Sequence, residues 1–423
     1  MRGQRKFFLL VVLFSFIFLS VLALAASIDI QQITVTTLCE NFQPTISGDG
    51  KRVVFLSDCE IIPGSNKDQN YEVFLYDTET KRFIQITDTT RTTKFNFPEN
   101  NQPTTNQDGS LVAFRSSLDL IHGQNADGNP EIFLYDTKAK SLTQLTHTSP
   151  PVVNTGPFLS GDGDKVVFLS SADLVPGENR DGKTEVVLFE KKTGRFSQLT
   201  HTPSSSASTG SVGKGISITG AAVSHDGTKV VISSTADLVQ GENKDGGSQF
   251  FIYDLTKKNM TQLTHMKGMP EMGHQHGPPA LNDNATRLAF LSMSGLDHSN
   301  HETGGEPAIV LLDVSKATPT TVATASNCQI HEPSINGDGT RITFASTCDF
   351  IGENKDPGGS NMEIFFYNTT SKTMTQLTHT LRDFNHTPSI DRSGSRIAFG
   401  SDRDIQRGSN LDENSEIFFA VLP

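Results

Sequence analysis

Short runs of apolar and aromatic residues, separated by glycine, aspartate, asparagine and proline, follow one another from about residue 28 to the end of the chain. The first set comprises Pro44-Thr-Ile-Ser-Gly-Asp-Gly50, Arg52-Val-Val-Phe-Leu-Ser57, Glu72-Val-Phe-Leu-Tyr-Asp77 and Gln85-Ile-Thr87. Short runs rich in β-branched and aromatic residues, with turn residues between them, are typical of β-strands. Each set predicts four strands, which we label a to d from the inside outward.

This set recurs in six clear copies and one degenerate copy. Alignment of the copies on Asp49 gives the equivalent positions Asp108, Asp162, Asp226, Asn284, Asp338 and Ser393. Consecutive positions lie 54 to 64 residues apart, and a period of this size indicates an array of blades. The sequence therefore predicts an all-β fold, a seven-bladed β-propeller with four antiparallel strands per blade.

A tight turn is predicted between strands a and b. The triplet Gly48-Asp49-Gly50 suits a three-residue hairpin loop whose last residue has a positive φ, which glycine adopts readily. We assign a structural role in this turn to its aspartates. They are Asp49, Asp108, Asp162, Asp226 and Asp338.

The two ends of the chain are predicted to share one blade. The seventh copy contains the strand c sequence Glu416-Ile-Phe-Phe419 and then ends at Pro423 without a strand d. Near the amino terminus, Gln32-Ile-Thr34 repeats the strand d motif Gln85-Ile-Thr87. We therefore expect an amino-terminal strand to complete the last blade, which would leave no open sheet edge.

Residues 1–25 are predicted to be a secretory signal peptide. Met1-Arg-Gly-Gln-Arg-Lys6 is basic, residues 7–26 are apolar, and Ala23-Leu-Ala25 provides the small residues of a cleavage site. The alternative is an uncleaved membrane anchor, because about twenty apolar residues can span a bilayer. Residues 26–423 would then form a single propeller domain that is periplasmic or secreted.

The charge of the chain limits its partners. The formal net charge is −12, and it becomes −15 if residues 1–25 are removed, because Arg2, Arg5 and Lys6 leave with no acid. An acidic surface of this size disfavours nucleic acid and anionic lipid. We expect no nucleic-acid partner, no membrane contact unless the anchor is uncleaved, and a monomer.

The four cysteines are predicted to form two disulfides. Cys39 and Cys59 lie ten residues on either side of Asp49, and Cys328 and Cys348 lie ten residues on either side of Asp338. Each pair should therefore face itself across strands a and b. The alternative, a zinc site with four sulfurs, would require the first and sixth blades to be adjacent.

The loop between strands b and c has its own signature, as in Asn125-Ala-Asp-Gly128 with Glu131 six residues after the asparagine. This spacing is similar to part of a calcium-binding loop. The alternative is a structural turn in which asparagine and aspartate bind their own backbone. Because the loop recurs in blade after blade without a full set of oxygen ligands, the structural turn is favoured.

The fifth copy departs from the repeat and carries four candidate metal ligands, His274, His276, His298 and His301. The d–a and b–c loops of a propeller emerge on the same rim, so these imidazoles are expected to converge there. With methionine they would suit copper, and with Glu302 they would suit zinc or manganese. The alternative is a solvated loop without metal, and it is favoured because no fixed ligand spacing such as His-Glu-x-x-His is present. No catalytic residue and no cofactor are predicted, with calcium or a transition metal as the alternative.

The repeat also carries a family resemblance. The motifs Pro-x-x-Ser-x-Asp-Gly, Glu-Ile-Phe-Leu-Tyr-Asp and Gln-Leu-Thr together resemble the WD-type repeat of TolB-like periplasmic propellers, from residue 28 onward. TolB itself has an additional amino-terminal α/β domain that binds its partners, and nothing here corresponds to it. A role in the Tol system is therefore not implied.

Two classes of function follow. The first is a noncatalytic extracytoplasmic scaffold that binds a protein or glycan partner through its loop-bearing rim. The second is a metal-assisted polysaccharide lyase that resembles oligogalacturonide lyases, which should place histidine over the central channel with Arg or Lys for uronate carboxylates. No Gly-x-Ser-x-Gly elbow, phosphate loop or dinucleotide fingerprint is present.

Overall fold

A computed structural model describes residues 28–90, 100–203, 218–265, 279–293, 305–354, 361–381, 384–406, 408 and 410–423. These residues contain twenty-eight strands in seven four-stranded antiparallel sheets. Each sheet is one blade, and the protein is a seven-bladed β-propeller, as the repeat predicts. In the part of the chain that the structure describes, no helix is long and apolar enough to span a membrane.

The first three blades follow the chain order. The first blade consists of β2 (Asn41–Ile46), β3 (Arg52–Ser57), β4 (Glu72–Asp77) and β5 (Arg82–Gln85). The second consists of β6 (Asn100–Thr105), β7 (Leu111–Ser116), β8 (Glu131–Asp136) and β9 (Ser141–Gln144). The third consists of β10 (Asn154–Leu159), β11 (Lys165–Ser170), β12 (Glu185–Glu190) and β13 (Arg195–Gln198).

The remaining blades include the one that joins the chain ends. The fourth consists of β14 (Ile218–Val223), β15 (Lys229–Ser234), β16 (Gln249–Asp254) and β17 (Asn259–Gln262), and the fifth of β18 (Ala280–Leu281), β19 (Arg287–Ser292), β20 (Ala308–Asp313) and β21 (Thr318–Thr324). The sixth consists of β22 (Ile330–Ile335), β23 (Arg341–Ser346), β24 (Glu363–Asn368) and β25 (Thr373–Gln376). The seventh consists of β26 (Asn385–Ile390), β27 (Arg396–Ser401), β28 (Glu416–Val421) and β1 (Asp29–Gln32).

The middle strands of each blade form the core, because every sheet lies between two others. In β3, Val53, Val54 and Phe55 are completely buried, which explains why this strand is apolar on both faces. Phe55 stacks on Phe74 of β4 with ring centroids 5.9 Å apart. Equivalent stacked pairs are Phe114–Phe133, Phe344–Phe365 and Phe399–Phe418. Apolar burial between blades therefore stabilises the ring.

The amino-terminal strand closes the last blade, as predicted. β1 pairs antiparallel with β28, with Asp29 opposite Val421. Thr34 Oγ1 accepts a hydrogen bond from the Ile417 N–H at 2.8 Å, and Thr87 Oγ1 accepts the equivalent bond from Val73 at 2.8 Å. β2 of the first blade packs against β26 and β27 of the seventh, so the ring is closed.

The structure joins Cys39 to Cys59 and Cys328 to Cys348, the pairing expected from the repeat. The two Cα atoms are 5.4 Å apart in the first pair and 5.3 Å apart in the second. Both disulfides enclose the a–b hairpin of their blade, with partners 20 residues apart in sequence. In the chain-entropy description, a loop of this size stabilises the fold by about 3 kcal/mol.

The turn aspartates hold the a–b hairpins. Asp49 Oδ1 accepts hydrogen bonds from the Ser47 hydroxyl at 2.6 Å and from the Lys51 N–H at 3.0 Å. The N–H group two residues further on is bound in the same way by Asp108, Asp162, Asp226 and Asp338. The following Gly50 has a φ of 71°, whereas Ala285 of the fifth blade takes this left-handed conformation with a φ of 51°.

Candidate functional site: the loop-bearing rim and the central axis

The two rims of the propeller differ in their exposed apolar residues. One rim carries the a–b and c–d hairpins, and the loop-bearing rim carries the d–a and b–c connections. All eight of the large apolar side chains found exposed in the described residues lie on the loop-bearing rim. They are Val35, Leu38, Val153, Met293, Ile351, Leu381, Phe384 and Leu411. Six of them belong to the adjacent sixth, seventh and first blades, so this rim has an apolar sector.

A ring of backbone hydrogen bonds surrounds the axis at the hairpin end of the inner strands. Each bond joins one blade to the next; for example, the Gln107 N–H donates to the Gly161 carbonyl at 3.0 Å. The last bond runs from the Arg392 N–H to the Gly48 carbonyl at 3.0 Å. The ring positions are Gly48, Gln107, Gly161, His225, Asp283, Gly337 and Arg392. Every blade therefore places one residue of its a–b hairpin beside the axis.

The large side chains of this ring lie over its glycines. An added Cβ on Gly161 would be 2.1 Å from the His225 ring, and one on Gly337 would be 2.6 Å from Asp283 Oδ2. Arg392 passes over Gly337 to the fifth blade, where its Nη1 donates to the Leu281 carbonyl at 3.0 Å. The polar side chains of Gln107, His225, Asp283 and Arg392 thus occupy the space that the three glycines leave at the hairpin end of the axis.

Arg392 and Asp283 form an ion pair within this group. Arg392 Nε lies 3.4 Å from Asp283 Oδ1. Burial lowers the pKa of Arg392, and the Asp283 charge partly opposes this change. Burial, followed by the charge of Arg392, also lowers the pKa of His225, which favours the neutral imidazole. The axis therefore brings together a guanidinium, a carboxylate and an imidazole.

Sequence reasoning missed these axial residues. They occupy the position directly before the aligned aspartate, between two residues that repeat. The residue at this position varies from glycine to arginine between blades, whereas its two neighbours repeat. This contrast is the sequence signal that could have identified the axial residues. Their spatial proximity depends on a ring geometry that only the folded chain supplies.

The innermost strand of several blades, strand a, contains a β-bulge. Gln43 and Gln102 both have a φ of 54°, Glu332 has a φ of 55° and Thr387 a φ of 47°. This conformation is unfavourable for residues other than glycine, and most of all for a β-branched threonine. Contacts between blades hold it, since the Thr387 N–H donates to Glu332 Oε2 at 2.6 Å and the Gln102 N–H donates to Gln43 Oε1 at 3.2 Å.

A buried glutamate at the start of strand c joins neighbouring blades. Glu131 Oε1 accepts hydrogen bonds from the Thr148 N–H at 2.6 Å and its hydroxyl at 2.8 Å, and Oε2 accepts one from Asn154 Nδ2 of the third blade at 3.1 Å. The same link joins Glu72 to Asn100, Glu363 to Asn385 and Glu416 to Asn41. Gln249 and Ala308 occupy the glutamate position in the fourth and fifth blades. Because this glutamate recurs from blade to blade, we assign it a structural role.

These glutamates predict how stability depends on pH. Burial raises the pKa of Glu363 from 4.5 to about 7, although several hydrogen bonds oppose the shift. Because the folded pKa is above the unfolded one, this group contributes stability below about pH 4.5 that is lost as pH rises through about 7. The free energy of unfolding is therefore expected to fall by about 1–3 kcal/mol from pH 5 to pH 8.

Urea unfolding across this pH range, with Glu363→Gln as the matched variant, checks the prediction. The variant should be less stable at pH 5 but should change less with pH. Burial also raises the pKa of Glu72, Glu185 and Glu416, so part of the slope should remain. An identical slope in the two proteins would contradict the assignment to Glu363.

The Asn-x-Asp-Gly loops are built as structural turns. Asp119 accepts hydrogen bonds from the Gly123 N–H at 2.7 Å and the Asn125 N–H at 2.9 Å. Asn125 Nδ2 donates to the carbonyls of Leu118 at 3.3 Å and Asn129 at 2.8 Å. These bonds explain the asparagine and aspartate as parts of the turn. Calcium binding by these loops stays a prediction.

The candidate metal ligands His274, His276, His298 and His301 lie outside the described residues. A metal at the fifth blade therefore also stays a prediction. Histidines also follow strand d at one position of the repeat, His147, His201, His265 and His379. Of these, His201 Nδ1 lies 3.0 Å from Gln198 Nε2 and His265 Nδ1 lies 3.3 Å from Gln262 Nε2. These contacts lie within one blade and support a structural role for these two.

The loop-bearing rim at the junction of the seventh and first blades has a distinct composition. Leu38 is 87% exposed and Leu411 is 79% exposed, and the Leu38 N–H donates to Asp412 Oδ2 at 3.1 Å. Val35, 71% exposed, lines a neighbouring cleft of about 510 Å³. The cleft is bounded by residues 33–37, the Cys39–Cys59 disulfide, Glu60, Ile61, Gln69 and Phe83.

Acidic side chains surround these apolar residues. Burial raises the pKa of Glu40, and the charges of Asp402, Asp58 and Asp412 raise it further. Burial also raises the pKa of Asp402. Four carboxyl groups are thus close enough to affect one another, so the surface at this junction is apolar and negatively charged.

Comparison with solved structures identifies the fold class. An oligogalacturonate lyase from Vibrio parahaemolyticus is 13% identical, with 94% of each chain covered and a TM-score of 0.58. An oligogalacturonate lyase in complex with manganese is 13% identical, with 93% of each chain covered and a TM-score of 0.56. TolB from Acinetobacter baumannii is 15% identical over 81% of this chain and 67% of its own, with a TM-score of 0.47.

Identities this low show only the fold. The lyase structures place the chain among β-propellers, and they carry no evidence for its activity. No family model and no curated protein matches the sequence. The fold alone therefore does not distinguish the two classes of function.

Proposed function

We propose that this protein is a noncatalytic extracytoplasmic propeller that binds a protein partner through its loop-bearing rim. The observation that carries this proposal is the placement of all eight exposed large apolar side chains of the described residues on that rim. Apolar contact with a partner would remove this surface from water, which is the main driving force of protein association. Aliphatic side chains favour an apolar protein surface over the hydroxyl groups of a glycan.

Two features support a location outside the cytoplasm. Disulfides persist mainly in oxidising compartments, and the chain contains two, with no free cysteine among the described residues. The basic and apolar composition of residues 1–25 supports export by a signal peptide. Membership in the TolB-like propellers is part of the same proposal and rests on the repeat motifs.

Quantitative purification from the native compartment, after chemical crosslinking, tests the binding role. Leu38, Leu381, Phe384 and Leu411 are changed together to serine, and Lys257→Ser on a c–d hairpin is the control. A partner that is stoichiometric with the wild type should remain with the control and be lost from the rim variant. Equal recovery with all three proteins would contradict binding through this rim.

A lyase is the second candidate, and one observation favours it: the axis brings together His225 and Arg392, the residue types that a uronate-binding site requires. The test combines metal analysis of the purified protein with an assay for unsaturated products from oligogalacturonide in the presence of Mn²⁺. Stoichiometric metal that is lost when His274 and His276 become alanine, together with product formation that is lost when His225 becomes alanine, would support the enzyme. Neither result is expected for a scaffold.

A further inference from the structure

Leu38 combines exposure with an unfavourable backbone conformation. Its side chain is 87% exposed, and its φ is 58°. A bulky residue in the left-handed region costs free energy, and little packing in the isolated chain offsets this cost. Asn327, the residue before Cys328 in the sixth blade, has the same conformation with a φ of 59°, so the turn belongs to the two blades that carry a disulfide. What is particular to Leu38 is the bulky, exposed apolar side chain in this turn.

Leu38 is held beside a second exposed leucine. Its N–H group donates to Asp412 Oδ2 at 3.1 Å, and Leu411 directly precedes that aspartate. The two leucines come from the d–a connection and the b–c loop that meet at the junction of the seventh and first blades. We define the junction patch by its members. They are Val35, Leu38, Leu411, Glu40, Asp58, Asp402 and Asp412.

The charge of the junction patch restricts what can bind. Its four ionisable residues are all acidic. Among the described residues, the basic groups that adjoin them are already paired with acids, since His386 Nε2 lies 3.9 Å from Asp402 Oδ1 and Arg403 binds Glu413. Glu40 is linked to the neighbouring loop, since its Oε2 accepts the Ser415 N–H at 2.9 Å, and the Glu40 N–H donates to Asp58 Oδ1 at 2.6 Å. The acids are therefore fixed in place. A bound lysine or arginine would be attracted, and an acidic segment would be repelled.

The adjoining cleft provides room for a side chain. Its volume of about 510 Å³ lies within the range of small-ligand pockets, and Val35, Ile61 and Phe83 supply apolar walls. Glu60 adds a further acid to its lining. A cleft with both apolar and polar walls, next to a negatively charged surface, suits a segment in which apolar and basic residues lie close together.

We propose that the junction patch and its cleft bind an extended segment of a partner protein that presents leucine-like side chains together with lysine or arginine. The proposal rests on the proposed function, because it names the part of the rim and the chemistry of the segment. The leucines of the patch bury the apolar side chains of the segment, and the acids bind its cations. The contact weakens as salt rises, because the charges lie at the surface.

Three labelled octapeptides test the proposal with the purified propeller: alternating Leu and Lys, alternating Leu and Glu, and alternating Ser and Lys. Fluorescence anisotropy measures binding at low and at physiological salt. Only the Leu–Lys peptide is expected to bind, with an affinity that falls between the two conditions. Binding of the Ser–Lys peptide with the same affinity would overturn the proposal, because it would show nonspecific attraction to an acidic protein.

Matched variants locate the site. Leu38→Ser/Leu411→Ser is expected to weaken Leu–Lys binding by about tenfold or more, as for loss of two buried leucine contacts. Asp402→Asn/Asp412→Asn keeps the hydrogen-bonding oxygens and is expected to weaken binding mainly at low salt. The control is Val153→Ser, which alters a 45% exposed residue of the same rim, next to the third blade.

The outcomes separate this proposal from the binding role of the whole rim. Unchanged binding by both double variants, or equal loss with Val153→Ser, overturns the junction patch. Such a result would leave the crosslinking comparison of the rim with the hairpin face unaffected. Thermal unfolding of each variant establishes that a change in affinity does not come from loss of the fold.

Discussion

Replacing Glu416 by alanine is expected to lower the free energy of unfolding by about 3 kcal/mol or more. Glu416 is fully buried, and its Oε1 accepts hydrogen bonds from the Thr36 N–H at 2.6 Å and the Thr36 hydroxyl at 2.8 Å. Its Oε2 accepts one from Asn41 Nδ2 at 3.1 Å. Alanine would remove the acceptor of both Thr36 groups and one of the three acceptors of Asn41 Nδ2, at the junction where the chain ends meet.

Urea unfolding and hydrogen exchange of the β1 amides measure this effect. Glu416→Gln is the matched variant, because it keeps the shape and one acceptor oxygen, and it should cost less than half as much. The alanine variant should also increase exchange in β1, since Thr36 anchors the segment that follows this strand. A loss below about 1 kcal/mol, with unchanged exchange, would contradict the role of Glu416 at this junction.

Replacing Gly337 by alanine is expected to cost about 1–3 kcal/mol, the usual effect of inserting a methyl group where there is no space. The new Cβ would lie 2.6 Å from Asp283 Oδ2 and 2.9 Å from the Arg392 carbonyl oxygen. That carbonyl cannot move freely, because it accepts the Gly337 N–H of the axial ring at 2.9 Å. The methyl group therefore displaces backbone.

Gly48→Ala is the control for Gly337→Ala. Its Cβ would meet side-chain atoms, with Gln107 Oε1 2.0 Å and Arg392 Cγ 3.0 Å away, and none of its three nearest neighbours is a backbone atom. Gln107 can rotate away, so a smaller loss of stability is expected. Thermal unfolding of the two variants provides the comparison. Equal losses would show that the axis does not depend on the backbone contact between Gly337 and Arg392.

The fold could be predicted from sequence because its determinants repeat. The spacing between Asp49 and its equivalents gives the length of the repeat. The equal distances of Cys39 and Cys59 from Asp49 follow from the antiparallel geometry of one hairpin. The Gln32-Ile-Thr34 motif identified the closing strand for the same reason. Each of these motifs has a fixed position in the repeat, so its place in the blade follows from that position. The sequence of a single chain was therefore enough to interpret it.

The candidate site could not be predicted in the same way. Leu38 and Leu411 are far apart in sequence and meet only because β1 completes the seventh blade. Arg392 and Asp283 meet across the axis because Gly337 leaves space between them. The Glu131–Asn154 link was also missed, since each residue alone is an ordinary member of its repeat. Long-range proximity depends on closure of the ring.

The pairing of β1 with β28 also sets the order in which the molecule can be completed. β1 is synthesised before its partner, Glu416–Val421, and the strands of the other six blades lie between the two in the sequence. The first strand therefore has to wait, unpaired, until those six blades and the rest of the seventh have been synthesised. Six blades can form during that time, whereas the seventh, and the junction patch with it, can form only after Glu416–Val421 has left the ribosome.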